Sequence, residues 1–310
     1  MKIVSFLKLI KKIRSDYLYY YTRCLYKKDP KLAANYSYRK LFGKDINWVC
    51  PADLNEIVRW MLVNTDTRQW TQCADKYAVR EYIKDQGCGD YLVKLYGKWD
   101  NPEDISFDSI SAPFVLKANN GCGTVKIIRD KSLVDLNQIK SETKQWLKRP
   151  FGYVSGEFHY LSIPPCIIAE ELLDNTSLEI SSSLIDYKIW CINGQPECIL
   201  VCFNRKDDNL DRIVYDLEWK PVEGVLRAKS SVSSSIEIPK PKCFDEMLEI
   251  AQKLAIPFPE VRVDLYVIDD RPKFGELTFS AGMKTFTKEY YEYLGHKIDF
   301  TNLTRNQITS

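Results

Sequence analysis

Apolar residues in the first 28 positions recur at the spacing of a helix. The stretch MKIVSFLKLIKKIRSDYLYYYTRCLYKK places them on one stripe, with most lysines and arginines off it. The stripe consists of Ile3, Phe6, Leu7, Ile10, Ile13 and Tyr17. Such a basic helix can lie on a membrane surface with its cations toward anionic headgroups. The alternative, which we favour because amphipathic helices are common, is that it packs on its own domain.

The remaining hydrophobic pattern predicts a mixture of helices and strands. Helices are predicted over 53–64, 75–86, 135–148 and 243–255. Strands are predicted over 91–96, 114–117, 124–129 and 166–172, with hairpins at 186–203 and 261–279. The serine-rich stretch 229–235 predicts a loop. Because hairpins are more prominent than alternating β-α-β units, the predicted fold class is α+β.

Composition narrows the functional classes. The chain has 310 residues, a net charge of +2, ten cysteines and two histidines. This small charge gives no reason to expect a nucleic-acid partner, and two histidines argue against a histidine-rich metal site. The cysteines form no CxxC pair, we find no signal peptide, and no apolar run approaches the roughly 20 residues of a membrane span. We therefore expect a cytoplasmic protein with reduced thiols.

The second hairpin carries two acids that are predicted to face each other. With a turn near Asp270, Asp264 lies directly across from Glu276, with Cβ atoms about 5 Å apart. Such a pair stays ionised only beside a cation, and oxygen ligands suit Mg²⁺. The spacing alone leaves a second interpretation open, an exposed hairpin face on which Arg262 neutralises one acid.

A glycine loop follows the strand that ends in Lys117, in PFVLKANNGCGTVKIIRD. Gly121 and Gly123 permit close backbone approach, and consecutive N–H groups in such a turn can bind an anion. A polyphosphate with Lys117 as countercharge would suit the loop. The segment matches neither a P-loop nor a dinucleotide fingerprint, and a glycine turn in a hairpin is the alternative.

Two further strands carry polar residues in an apolar context. CIIAEELL ends in two acids, and DYKIW places Asp186 and Lys188 on one face. Charged residues inside a strand are uncommon without a partner. Combined with the glycine loop and the acid pair, they predict a nucleotide–magnesium site.

This order of motifs resembles the ATP-grasp superfamily, and more closely its TupA-like branch, which is associated with teichuronopeptide and surface-polysaccharide synthesis. The matching segments run from about 74 to 295: ADKYAVREYI, FVLKANNGCGTVKII, IIAEELL, DYKIWCINGQP, FNR and FPEVRVDLYVIDDRPKFGELTFSAGM. The resemblance implies two α+β subdomains that clamp ATP, after a helical N-terminal region. The implied units are 1–72, 73–173 with the glycine loop, and 174–310 with the metal site.

The resemblance also implies roles for individual residues. The implied ATP-binding residues are Lys76, Lys117, Gly121, Cys122, Gly123, Thr124, Glu170, Glu171, Leu172, Asp186 and Lys188. The implied catalytic residues are Arg262, Arg205 and Lys188, and the implied metal ligands are Asp264, Glu276 and Thr278. Thr278 stands where many relatives have asparagine, so the resemblance leaves open whether one or two Mg²⁺ ions bind. Asn120 and Cys122 also depart from the usual loop, which often carries histidine and serine.

The implied activity is an ATP-dependent carboxylate–amine ligase that works through an acyl phosphate. Its expected substrates are an amino acid or other amine and a uronic-acid carboxylate of a capsular or cell-surface polysaccharide. One alternative is a kinase that phosphorylates a sugar hydroxyl. Another is a non-catalytic adaptor of glycan assembly, which residues 1–28 dock on the membrane or on a glycosyltransferase.

Overall fold

The structure is a computed structural model that describes residues 2–174, 179–206, 209–227, 237–280 and 284–300, with side chains from residue 10 onward. The helices are α1 Lys2–Lys28, α2 Pro30–Phe42, α3 Leu54–Asn64, α4 Arg68–Ala74, α5 Val79–Asp85, α6 Leu136–Leu147, α7 Phe244–Ala255 and α8 Lys288–His296. The strands are β1 Leu95–Trp99, β2 Phe114–Ala118, β3 Val125–Ile128, β4 Ile167–Glu171, β5 Asp186–Ile192, β6 Gln195–Lys206, β7 Asn209–Tyr215, β8 Glu260–Ile268 and β9 Arg271–Thr278.

The strands form two antiparallel sheets. The first has the order β1-β4-β2-β3, and the second has the order β7-β6-β5-β8-β9. Each sheet covers its own apolar core, with α6 beside the first sheet and α7 against β5, β6 and β8 of the second. The predicted α+β class is confirmed.

The second hairpin is set by its turn. Asp269 and Asp270 have φ values of 51° and 58°, and two residues with positive φ form the tight turn that matches the twist of paired strands. β8 therefore pairs with β9 from Ile268 opposite Arg271 to Leu265 opposite Phe274. A bulge at Gly275 then shifts the register by one residue, and this shift places Asp264 opposite Glu276, the pair that the sequence predicts.

Two predicted elements have different boundaries. The predicted helix 75–86 begins only at Val79, because the carboxylate of Asp75 accepts hydrogen bonds from Tyr77 N–H and from the Asn119 side chain. The predicted strand 91–96 is wrong over its first part. Residues Gly89–Tyr91 form a 3₁₀ turn and β1 begins at Leu95, because N–H groups after Cys88 bond back to nearby carbonyls.

The first helix packs on its own chain, but two residues of the predicted stripe lie outside the contact. α1 lies against α2 and buries Tyr19 and Thr22. Ile13 and Tyr17 of the stripe are instead 58% and 68% exposed. The side chains of Ile3, Phe6 and Leu7 lie outside the described residues, as does the serine-rich stretch 229–235. In the described part of the chain, no helix combines the length and the hydropathy that crossing a membrane requires. All ten cysteines are free thiols.

Candidate active site

The two sheets face each other across a cleft of about 380 Å³. β2, β4 and the connection between β2 and β3, residues 119–124, which we call the glycine loop, line one side, and β5, β8 and β9 line the other. The sequence-predicted residues on the cleft surface are Lys76, Lys117, Gly121, Cys122, Gly123, Thr124, Glu170, Glu171, Leu172, Asp186, Lys188, Arg205, Asp264 and Glu276. Arg262 and Thr278 lie behind this surface, each 9% exposed.

Lys117 is held at the end of β2 by an acid on the neighbouring strand. Its ammonium group lies 2.8 Å from the carboxylate of Glu170, which also accepts a hydrogen bond from Arg80 at 3.2 Å. Arg80 in turn donates to the carbonyl of Val93, a cleft residue. The sequence reasoning missed Arg80, because an arginine on a short helix looks like a solvated charge until the fold brings it to β4.

The glycine loop is fixed at its first residue and near its middle. The amide of Asn119 donates to Asp75 and to the Pro164 carbonyl, and its oxygen accepts from Cys166 N–H. Asn119 is 1% exposed, and no motif signalled this role in advance. Further along the loop, Lys76 donates to the Gly121 carbonyl at 2.6 Å. The loop thus closes over one of the lysines predicted to bind phosphate.

On the opposite side, β5 presents Asp186 and Lys188 on one face, as predicted. The ammonium group of Lys188 lies 2.5 Å from Asp264 and 3.7 Å from Asp186. Arg205 of β6 donates to Asp186 at 2.9 Å. Tyr266 of β8 is half-buried and also lines the cleft. Lysine and arginine side chains of the second sheet therefore face Lys117 of the first.

The acid pair of the second hairpin is compensated by cations. Arg262 donates to both oxygens of Asp264 at 2.6 and 2.7 Å, and it lies 3.4 Å from Glu276 and 3.1 Å from the Thr278 hydroxyl. Burial would raise the pKa of Asp264, but Arg262 and Lys188 outweigh it and hold the pKa below its ordinary value. Burial would likewise lower the pKa of Lys188, yet the carboxylate of Asp264 keeps it raised. All three groups are therefore charged at neutral pH.

The donor set at this end of the cleft fits Mg²⁺. Asp264 and Glu276 supply carboxylate oxygens from facing strands, and the Thr278 hydroxyl lies 3.4 Å from Glu276. Across the described ranges, no group of three or more histidine, cysteine, aspartate or glutamate side chains is arranged to hold a metal ion. Magnesium in nucleotide sites takes one or two carboxylates and completes its shell with phosphate oxygens and water. Two acids beside a phosphate-sized cleft meet that requirement.

Comparison with solved structures finds proteins of related fold at low identity. The D-alanine–D-alanine ligase from Bacillus anthracis complexed with ATP is 16% identical, with 77% of this chain and 67% of that chain covered and a TM-score of 0.44. The L-amino acid ligase from Bacillus licheniformis is 16% identical, with 74% and 49% covered and a TM-score of 0.43. The D-alanine–D-alanine ligase from Helicobacter pylori is 12% identical, with 84% and 67% covered and a TM-score of 0.39.

Comparison at the level of sequence gives a clearer result. No curated protein matches this chain significantly. The family model described as TupA-like ATPgrasp, in contrast, matches residues 56–299, which include both sheets and every residue of the cleft. A match over most of the chain establishes membership, and the chain therefore belongs to the TupA-like ATP-grasp family.

Proposed function

We propose that the protein is an ATP-dependent ligase that joins a carboxylate to an amine through an acyl phosphate. The observation that carries the proposal is the charge arrangement of the cleft. Lys76 and Lys117 from one side and Lys188 from the other converge on it, and the pair Asp264 and Glu276 closes one end. A magnesium–polyphosphate substrate requires cations that bind its phosphate oxygens and, beside them, a pair of acids that bind the metal.

The nucleotide would span the cleft between the sheets. Lys76 and Lys117 would hold the α- and β-phosphates, with the glycine-loop amides over the β- and γ-phosphates. The segment 170–172 would meet the adenine ring, and Asp186 would hold the ribose hydroxyls. Lys76 would exchange the Gly121 carbonyl for a phosphate oxygen, since a charged acceptor makes the stronger hydrogen bond.

The metal would be held by Asp264 and Glu276, with Thr278 as a further oxygen ligand. When bound, Mg²⁺ supplies positive charge that neutralises the phosphate oxygens as charge develops in the transition state. Lys188 and Arg262 contact Asp264 and keep it ionised, and a bound Mg²⁺ would replace part of these contacts. We assign the guanidinium groups of Arg262 and Arg205 to the end of the cleft where the transferring phosphoryl group would meet the substrate.

The chemistry then has two steps. A carboxylate oxygen of the acceptor attacks the γ-phosphorus of ATP, the bond from that phosphorus to the ADP oxygen breaks, and an acyl phosphate and ADP result. The amine nitrogen next attacks the acyl carbon, the bond from carbon to the phosphate oxygen breaks, and phosphate leaves. The ammonium form of the substrate must release a proton before attack, and the attacking nitrogen releases a second one as the amide forms.

The substrate assignment rests on the family association. We propose an amino acid as the amine and a uronic-acid carboxylate of a capsular or cell-surface polysaccharide as the acceptor.

A cytoplasmic location would suit the ATP supply, with contact to the inner membrane face through residues 1–28. Exposed Ile13, Tyr17 and Tyr20 beside lysines on α1 support that contact. We also propose functional units at 1–72, 73–173 and 174–310, because the first sheet ends at Glu171 and the second begins at Asp186.

Calorimetry of Mg-ATP binding tests the nucleotide site. We expect micromolar affinity for the wild type and at least about tenfold weaker binding for Lys117→Ala and Glu276→Gln, since each loses a charged contact. Lys242→Gln is the matched control, because this 83% exposed lysine pairs with Asp270 at the hairpin turn. A folded wild type that binds no Mg-ATP would exclude the ligase and leave the adaptor.

Trapping identifies the reaction. With Mg-ATP and a uronic acid, hydroxylamine should yield a hydroxamate and ADP, because it attacks the acyl phosphate in place of the amine. A stable phosphorylated sugar and no hydroxamate would instead establish the kinase.

A further inference from the structure

A second cavity adjoins the glycine loop next to the nucleotide cleft. It has a volume of about 340 Å³ and is formed by α1, the end of α6, the segment 149–155 and the loop itself. Gly121, Cys122 and Thr124 line both this cavity and the nucleotide cleft. The two spaces therefore meet at the glycine loop, which borders both of them.

Two close contacts at Gly121 hold the glycine loop in place. On the cleft side, Lys76 donates to the Gly121 carbonyl at 2.6 Å. On the cavity side, Phe151 packs against Gly121 so closely that an added Cβ would lie 3.2 Å from the Phe151 Cβ. A molecule in the second cavity would thus lie next to the loop that we expect to cover the terminal phosphates of ATP.

The cavity lining is aromatic with one cation. Tyr19, Trp146 and Phe151 contribute rings, and Arg149 contributes a guanidinium group. Arg149 lies 5.2 Å from the Tyr19 ring centre and donates through Nη1 to Asp16 at 2.8 Å. A guanidinium carries five N–H donors, so Arg149 can hold a second carboxylate while Asp16 orients it.

The N-terminal helix completes the cavity. Tyr19 and Asp16 belong to α1, which precedes the family match that begins at residue 56. Tyr19 is 9% exposed, whereas Tyr17 on the same helix is 68% exposed. The helix therefore contributes the Tyr19 side chain to this cavity in addition to packing on α2.

We propose that this cavity is the binding site for the carboxylate substrate. Its carboxylate would pair with Arg149, and a ring would lie against Tyr19, Trp146 and Phe151. The inference rests on the proposed ligase function, since only a carboxylate beside the terminal phosphates can be activated there. Both a sugar ring and an aromatic ring fit the lining, so the shared chemistry is a ring that bears a carboxylate.

Ligand-observed NMR titration in the absence of nucleotide tests the site. The probes are D-glucuronate and phenylacetate, with D-glucose as the ring without a carboxylate. We expect one or both acids to bind, glucose to bind more weakly, and Arg149→Gln to weaken the acid by about tenfold. Tyr19→Ala should weaken it as well. Lys148→Gln and Tyr17→Ala are matched controls at exposed neighbouring positions and should match the wild type.

Several outcomes would overturn the inference. These are no binding of either acid to a protein that binds Mg-ATP, unchanged affinity in Arg149→Gln, or competition between the acid and Mg-ATP. If Tyr19→Ala does not fold, Arg149→Gln decides alone, because its side chain is 38% exposed. The same acid should also stimulate ADP release with hydroxylamine in the wild type, and Arg149→Gln should lose this stimulation at an unchanged affinity for Mg-ATP.

If the acid binds in an Arg149-dependent way but Mg-ATP does not bind, the proposed function fails and the assignment of the cavity to a ligase substrate fails with it. Arg149-dependent stimulation of ADP release supports both.

Discussion

Arg262 and Asp264 lie two residues apart on β8, and the guanidinium of Arg262 donates to both carboxylate oxygens of Asp264 at 2.6 and 2.7 Å. Lys188 contacts the same carboxylate at 2.5 Å. The acid that we assign to the metal is therefore almost fully buried, with a side chain 3% exposed, and is compensated from two strands. The stability of this end of the cleft depends on that compensation.

The first prediction concerns removal of the guanidinium. Arg262→Met should lower the free energy of unfolding by about 3–5 kcal/mol, because it leaves a buried carboxylate with one cation instead of two. Arg262→Lys should lower the free energy of unfolding by less, since it keeps a positive charge near Asp264. Chemical denaturation monitored by circular dichroism measures both. A loss below about 1 kcal/mol for Arg262→Met would show that Lys188 alone compensates the acid.

The second prediction concerns the pair of Lys117 and Glu170. Glu170→Gln should weaken Mg-ATP binding by about three- to tenfold, because Lys117 and Arg80 would lose the carboxylate that positions them. Calorimetry measures the affinity, and Glu223→Gln, at an exposed acid outside the cleft, is the control. Tighter binding in Glu170→Gln would mean instead that Glu170 competes with phosphate for Lys117.

The third prediction concerns the close packing around Gly156. Gly156 has a φ of +71°, and an added Cβ would lie 2.4 Å from Ser37 Oγ and 2.8 Å from Arg59 Nη1. Gly156→Ala should therefore destabilise the protein by more than about 2 kcal/mol, through both strain and overlap. Gly43 has a φ of +74° and open space around it, so Gly43→Ala isolates the strain, at about 1 kcal/mol. Equal losses in a denaturant titration would mean that the overlap relaxes freely.

The fourth prediction concerns pH. Burial raises the pKa of Glu260 from 4.5 to about 8, although nearby Arg262 opposes the shift. Between these values the folded chain keeps a proton that the unfolded chain releases, so stability falls as pH rises from about 4.5 to 8 and then levels off. Glu260→Gln should remove this slope and gain about 3–5 kcal/mol relative to wild type between pH 5 and pH 8.

Thermal and denaturant unfolding at several pH values measures this slope. Glu223→Gln, which replaces an exposed acid, should leave the slope unchanged. Parallel pH profiles for the wild type and Glu260→Gln would show that Glu260 ionises normally in the folded protein.

Local pattern predicts much of this site because its parts are local. Strand alternation and one tight turn bring Asp264 and Glu276 close together, and the bulge at Gly275 places them directly opposite each other, all within 20 residues. The half-buried end of β2 at Lys117, the glycine loop and the polar face of β5 are short-range features of the same kind. The resemblance in motif order added that these parts belong to one site.

Errors appear where contacts between distant segments override local preference. The helix predicted from residue 75 begins later because Asp75 bonds to Asn119, 44 residues away. On α1, Ile13 and Tyr17 of the predicted apolar stripe are exposed, while Tyr19 is buried against segments more than 120 residues further along the chain. A helical period gives the spacing of a face, but the partner surface decides which face is covered.

The sequence by itself determined several of the helices, the two hairpins and the strand faces that carry the acid pair, because these depend on side-chain period and turn chemistry within a few residues. The tertiary structure decided which charges meet. It brought Arg80 to Glu170, Lys188 to Asp264, and Asp16 to Arg149 from positions between 76 and 133 residues apart. Those meetings depend on how two sheets and an N-terminal helix bury their apolar faces together, a property of the whole chain that no single stretch encodes.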